Sequence, residues 1–158
     1  MGVSYKAFLV AGVSLLDFFG KVGEKTNTFK EFDKYGQPTG KNFTETKIIA
    51  TLPSGDEVII GDINEESPRR DINYDFYSSL SFDGDTSDQT TLGLHYHDYD
   101  TENLSCRIIG NVVDETENVE EIDYQRLDKT ILEVRKELKE KFGYDGVVKL
   151  YLINYVSY

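Results

Sequence analysis

The stretch that decides the fold is residues 119–142, VEEIDYQRLDKTILEVRKELKEKF, which predicts one long helix. Apolar side chains recur in it at spacings of three and four residues, so they share one helical face. The residues of this face are Tyr124, Leu127, Ile131, Val134 and Leu138. Asn118 with Glu121 resembles an N-terminal cap, and Gly143 stands where a left-handed C-cap residue belongs. We therefore expect an amphipathic helix that packs on a sheet.

The two ends of the sequence are predicted to be strands. Residues 147–156 follow the helix and place apolar side chains on both faces, which is typical of a central strand. Residues 4–12 form an apolar run that also reads as a strand. Ser14 and Asp17 resemble a capping box, so a short helix is expected at residues 15–19.

The middle of the sequence is predicted to contain a hairpin and a long loop. Residues 46–52 and 57–61 are expected as strands, joined by a Pro-Ser-Gly-Asp turn. Residues 21–42 are polar and interrupted by glycine and proline, which favours a loop. Further strands are expected at residues 74–82, 91–99 and 105–113, with a turn at 83–88 and an exposed loop at 62–73.

These elements together predict an α+β fold. It would consist of a mixed or mostly antiparallel sheet, one long amphipathic helix (about 119–142) packed on it, and a short N-terminal helix. A length of 158 residues suits one domain, so residues 1–158 are assigned to a single domain. No internal repeat or linker divides them.

The composition is strongly acidic, with a formal net charge of -12. This excess of negative charge disfavours direct contact with nucleic acid or with an anionic membrane surface. A single cysteine, Cys106, excludes an internal disulfide and favours a reducing compartment. No secretion signal or transmembrane stretch is evident, so we expect a cytoplasmic protein.

The only two histidines suggest one possible metal site. His95 and His97 share a face if residues 91–99 form a strand, and a His-x-His pair can ligate a metal. The sequence does not place a third ligand, and a half-exposed polar strand end is the competing interpretation. Aspartates at residues 83–88 alternate as in a calcium loop but lack its glycine and glutamate. We therefore expect no cofactor and no catalytic constellation.

Acidic and tyrosine residues give a second candidate, a protein-binding surface. Carboxylates among aromatic rings can imitate phosphates and bind the basic cleft of a nucleic-acid-binding protein. The candidate residues are Asp83, Asp85, Asp88, Tyr96, Asp98, Tyr99, Asp100, Asp114, Glu115 and Glu117. The competing interpretation of the last three is that acids before a helix complement its dipole.

The sequence resembles the small, acidic, uncharacterised proteins of bacteriophages and prophages of low-GC bacteria. The residues that carry the resemblance are the opening Met1 to Ala7, the acidic body, and the closing helix, Gly143-Tyr144 and strand. Such a resemblance implies host-directed inhibitors, including anti-CRISPR and other anti-defence proteins, acting in the host cytoplasm.

Three functions are therefore weighed. The first is a non-catalytic phage-type inhibitor or interaction protein that binds a host protein through its acidic, tyrosine-rich surface. The second is a metal-dependent enzyme that uses His95 and His97. The third is a small phage assembly or accessory protein held together by apolar faces.

Overall fold

A computed structural model describes residues 4–63, 70–73, 92–96 and 103–157. The strands are β1 (Ser4–Ser14), β2 (Lys21–Phe32), β3 (Pro38–Thr51), β4 (Glu57–Ile63), β5 (Arg70–Ile72), β6 (Gly93–Tyr96), β7 (Arg107–Thr116) and β8 (Lys149–Ser157). The helices are α1 (Leu15–Phe18) and α2 (Tyr124–Phe142), with a short 3₁₀ turn at Leu104–Cys106. The predictions for residues 74–82 and 83–88 lie outside the described residues.

The strands form two antiparallel sheets. Sheet 1 has the order β6-β7-β1-β8, and sheet 2 has the order β2-β3-β4-β5. All the described strand pairs are antiparallel. The α+β fold class predicted from the sequence is therefore confirmed, although two sheets replace the single one expected.

The buried core joins both sheets and α2. Val13 and Ile109 from sheet 1, and Ile48 and Ile60 from sheet 2, belong to one cluster of buried apolar side chains. The helix contributes its buried residues Val134, Leu138 and Phe142 to the same cluster. The helical periodicity that predicted one apolar face thus identified the face that packs.

The short helix α1 forms as its sequence predicts. The Ser14 hydroxyl accepts a hydrogen bond from the Asp17 backbone N–H at 3.2 Å, which satisfies a donor that the first helical turn leaves without a partner. The helix ends at Phe18, one residue earlier than expected. Its ring packs edge-on against Phe142 of α2, with centroids 5.5 Å apart, so the turn ties sheet 1 to the long helix.

The long helix begins later than the sequence predicts. Its N-cap is Asp123, whose carboxylate accepts hydrogen bonds from the backbone N–H groups of Gln125 and Arg126. The prediction that Asn118 caps the helix is therefore wrong, because residues 117–123 form an exposed connection after β7. Tyr124 is 74% exposed and does not belong to the packing face. The predicted C-cap is confirmed, with Gly143 at a φ of 74°.

The long loop predicted for residues 21–42 is wrong. These residues form β2 and the first part of β3, which pair antiparallel from Lys21 opposite Thr51 to Phe32 opposite Pro38. The loop prediction for residues 62–73 is wrong in part, since β4 extends to Ile63 and Arg70–Ile72 is β5. The 46–52 and 57–61 hairpin is confirmed, with Gly55 at a φ of 95° in its turn.

The last strand lies at an edge instead of the predicted centre. β8 pairs with β1, and it has no second neighbour in the described part of sheet 1. Leu152 is 68% exposed, so apolar residues on both faces did not signify burial on both faces. In the described part of the chain, neither helix combines the length and the apolar character needed to cross a bilayer.

Candidate functional site

The β2–β3 hairpin projects beyond the rest of sheet 2. β4 pairs with β3 only from Thr46 to Thr51, so residues 38–45 of β3 have β2 as their sole strand partner within the described chain. Eight strand residues span roughly 25 Å. We call residues 21–47 the arm. Its outer part is exposed on both faces.

One face of the arm continues the outer face of sheet 2, the side opposite the buried Ile48, Ala50 and Ile60. Residues directly opposite each other in an antiparallel pair share a face, so the register identifies its members. They are Lys21, Gly23, Lys25, Asn27 and Phe29 on β2, Phe43, Glu45, Lys47, Ile49 and Thr51 on β3, and Glu57, Ile59 and Asp62 on β4. We call this set the outer face.

Exposed apolar side chains make this face unusual for a surface. Phe29 and Phe43 stack across the two strands with ring centroids 5.3 Å apart, and both remain partly exposed. Ile59 is 58% exposed beside Ile49. Aromatic side chains are enriched in the centres of protein interfaces, whereas a single chain gains little from leaving them in water.

A hollow of about 310 Å³ lies at the base of the arm on this face. Gly23 leaves it open, because a Cβ there would meet no atom within 4 Å. Lys21 and Lys25 line the hollow together with Ile49, and Glu24 and Glu57 contribute two carboxylates. The hollow therefore combines charges of both signs with an apolar wall, which suits a partner segment that carries charged and apolar side chains.

Nearby, a cluster of charges fixes the register of β3 against β4. Lys47 lies between Glu45 and Asp62, and these hydrogen bonds raise the pKa of its ammonium to about 12. At the tip of the arm, the Asp33 carboxylate accepts hydrogen bonds from the backbone N–H groups of Tyr35 and Gln37, each at 2.9 Å. The turn is thus held by its own side chain, so the arm presents a defined end.

The acidic residues predicted as a binding surface are only partly described. Asp114 lies 3.9 Å from Arg126, and Glu115 lies 3.8 Å from Lys6, so each carboxylate has a cation beside it. Glu117 lines a depression of about 150 Å³ together with Tyr5 and Tyr155. Lys6 also lines the depression, so this end of sheet 1 carries charges of both signs beside Tyr5 and Tyr155, two residues that were not among the predicted ones.

Tyr96 does not belong to that surface. It pairs with Arg107 at the start of β7, whereas the three acidic residues lie at the far end, roughly 25 Å along the strand. The Arg107 guanidinium carbon lies 3.8 Å from the centre of the Tyr96 ring, so the ring covers a buried cation. Tyr96 thus has a structural contact of its own.

The predicted metal pair is described only at His95. Its Nε2 donates a hydrogen bond to the Gly110 carbonyl at 3.0 Å, which occupies one of the two ring nitrogens. Among the described residues, no three His, Cys, Asp or Glu side chains come together as a metal site would require. The remaining predicted residues lie outside the described ones: His97, Asp83, Asp85, Asp88, Asp98, Tyr99 and Asp100.

The outer face was missed by the sequence analysis. Its members on β2 include Lys21, Lys25 and Phe29, which lie in a stretch that was interpreted as a loop. No family model, curated protein or solved structure matches the chain. The site is therefore defined by its geometry alone.

Proposed function

We propose that this chain is a non-catalytic interaction protein that binds another protein through the outer face and the arm. The observation that carries the proposal is the stacked, partly exposed pair Phe29 and Phe43 on a ribbon that projects from the body. A ribbon with little burial of its own gains apolar burial when a partner covers it. The proposed function is related to two of the three functions weighed from the sequence: the interaction protein and the assembly protein.

A second binding surface is favoured by the depression at the end of sheet 1. Glu117 there lines the depression together with Tyr5, Lys6 and Tyr155, and a carboxylate beside two phenol rings suits a basic partner. The host-directed inhibitor suggested by the resemblance to phage proteins would act at this surface, in the cytoplasm, on a nucleic-acid-binding protein. The two surfaces lie on different sheets, so probes placed on each surface can be compared in one experiment.

Site-specific photo-crosslinking in cells tests the proposal. A photoreactive amino acid replaces Phe43 on the outer face, Tyr155 at the acidic depression, or Leu132 as a control. Leu132 is exposed on α2 and belongs to neither surface. We expect a discrete protein adduct from position 43, and none from position 132.

The pattern of adducts decides between the surfaces. An adduct from position 155 alone would assign binding to the acidic depression and contradict the role of the outer face. Equal, diffuse labelling from all three positions, or no adduct from any, would contradict the proposed function itself. Circular dichroism of each purified variant confirms that the strands remain folded.

A further inference from the structure

Charge is distributed very unevenly between the arm and the rest of the chain. Residues 21–47 contain six lysines and four acidic residues, a net charge of +2. Because the whole chain carries -12, the remaining residues carry -14. Two copies therefore repel each other in most orientations, and contact between the arm of one and the body of the other is the electrostatically favoured exception.

A segment with the complementary chemistry connects β7 to α2. Residues 117–123, ENVEEID, are all exposed and contain four acidic residues. Val119 is 95% exposed and Ile122 is 49% exposed, so the segment also presents apolar side chains to water. We call it the acidic connection. Its carboxylates are complementary in charge to Lys21 and Lys25, and its aliphatic groups are complementary to the apolar wall of the hollow.

We propose that the acidic connection of one copy docks on the outer face of a second copy, so that the chain assembles head to tail. This rests on the proposed function and names its partner as the chain itself. Glu120 and Glu121 pair with Lys21 and Lys25 at the hollow. The apolar part of the segment covers the exposed aliphatic and aromatic side chains beside it. Burial of Ile59 and Val119 supplies the hydrophobic contribution.

The two surfaces differ in sequence and lie on different parts of the molecule. A contact between unlike surfaces leaves each copy with one surface of each kind uncovered, unless two copies make both contacts reciprocally. Assembly therefore ends at a two-fold dimer or a larger ring, or continues as a filament.

Sedimentation velocity of the purified full chain provides the test. At about 20 mM salt we expect the average mass to rise with protein concentration beyond that of a monomer. At about 500 mM salt we expect it to fall, because the screening length shortens to a few ångströms. A monomer across the whole salt range would overturn self-assembly.

Charge reversal identifies the contact. Lys21→Glu with Lys25→Glu, and separately Glu120→Lys with Glu121→Lys, should each weaken association about tenfold or more. An equimolar mixture of the two variants should associate again, since each reversed surface meets its complement. The second variant changes the net charge from -12 to -8, because each of its two substitutions replaces a negative charge with a positive one. General repulsion would then predict stronger association, and that result would contradict the proposed contact.

Matched controls reverse the same number of charges on α2. They are Lys129→Glu with Lys136→Glu, and Asp128→Lys with Glu140→Lys, all at exposed positions. We expect both to associate as the natural chain does at matched ionic strength. Gly23→Tyr offers a variant with no change of charge: a Cβ there meets no atom within 4 Å, so we expect the ring to occupy the hollow and association to fall at least tenfold.

The outcomes separate this inference from the proposed function. If the purified chain remains monomeric while position 43 forms an adduct with another protein in cells, the interaction function stands and self-assembly is wrong. If position 43 gives no adduct and the chain is monomeric, both are wrong. An adduct between position 43 and residues 117–123 of a second copy supports both.

Discussion

At the scale of single residues, two glycines determine how closely β1 and β7 approach. Gly12 and Gly110 lie opposite each other in the register of sheet 1. A Cβ on Gly110 would overlap the Ala11 carbonyl, and a Cβ on Gly12 would overlap the Ile109 carbonyl. Backbone atoms at the centre of a buried sheet cannot move apart without disturbing neighbouring strands. These positions therefore require glycine for space, not for an unusual φ.

Gly110→Ala should destabilise the chain by about 2–3 kcal/mol, because the added methyl group meets backbone in a packed sheet. The matched control is Gly23→Ala in β2, where a Cβ meets no atom within 4 Å. That variant should be unchanged or slightly more stable, since alanine costs less backbone entropy than glycine in a strand. Urea unfolding measures both, and equal midpoints for the two variants would contradict this explanation.

Residue-scale signals in the sequence were good guides where they depend on near neighbours. Ser14 and Gly143 act at the helix ends as their types predict, because a cap bonds within a few residues of itself. The prediction of Asn118 as the N-cap was wrong because several residues before α2 are of types that can cap a helix. Only the path of the chain after β7 selects Asp123 among them, and that path depends on the sheet.

At the scale of elements, substitutions before α2 can measure which residue, Asn118 or Asp123, caps the helix. Asp123→Ala should lower the free energy of unfolding by about 1 kcal/mol, because two backbone N–H groups lose their acceptor. Asn118→Ala is the control, since that side chain does not cap the helix, and it should change stability by less than about 0.5 kcal/mol. A larger loss in the Asn118 variant would place the cap where the sequence analysis did.

The arm shows why a strand can escape detection in a sequence. Strands are recognised by alternation, which arises when one face is buried and the other is wet. The outer part of β2 and β3 is exposed on both faces, so its sequence lacks that contrast. Gly36 and Gly40, with φ of 77° and 81°, mark the turn and an irregular pairing near it. They were interpreted instead as signs of a loop.

β8 shows the opposite error. Its apolar residues on both faces predicted a central strand, yet Leu150 and Leu152 are exposed at a sheet edge. Alternation reports which side chains are apolar, and it carries no information on which strands lie beside them. The strand order, and with it the outer face, depends on contacts distant in sequence. The candidate site was hidden for the same reason, since β4 supplies Ile59 to a face formed chiefly by β2 and β3.

At the scale of the whole molecule, one cluster of buried side chains links sheet 1, sheet 2 and α2. Ile48 and Ile60 of sheet 2 pack in the same cluster as Val13 and Ile109 of sheet 1. Loss of either sheet would expose the buried face of the other. We therefore expect the two sheets to unfold together. The outer part of the arm, residues 27–45, adds nothing to this cluster and should open independently.

Hydrogen exchange measures that difference in one experiment. Amides of β1, which lie between β7 and β8, should exchange only through global unfolding, together with those of Ile48 and Ile60. Amides of residues 27–32 and 39–45 should exchange at least ~100-fold faster, which corresponds to about 2.7 kcal/mol less protection. Dilute protein in high salt keeps the chain monomeric for this comparison.

Raising the concentration in low salt should then slow exchange in the arm selectively, because a second copy covers it. Protection of the arm equal to that of β1 in the monomer would show that the arm is not a separate unit. Arm exchange that does not change with concentration would show that nothing docks on it.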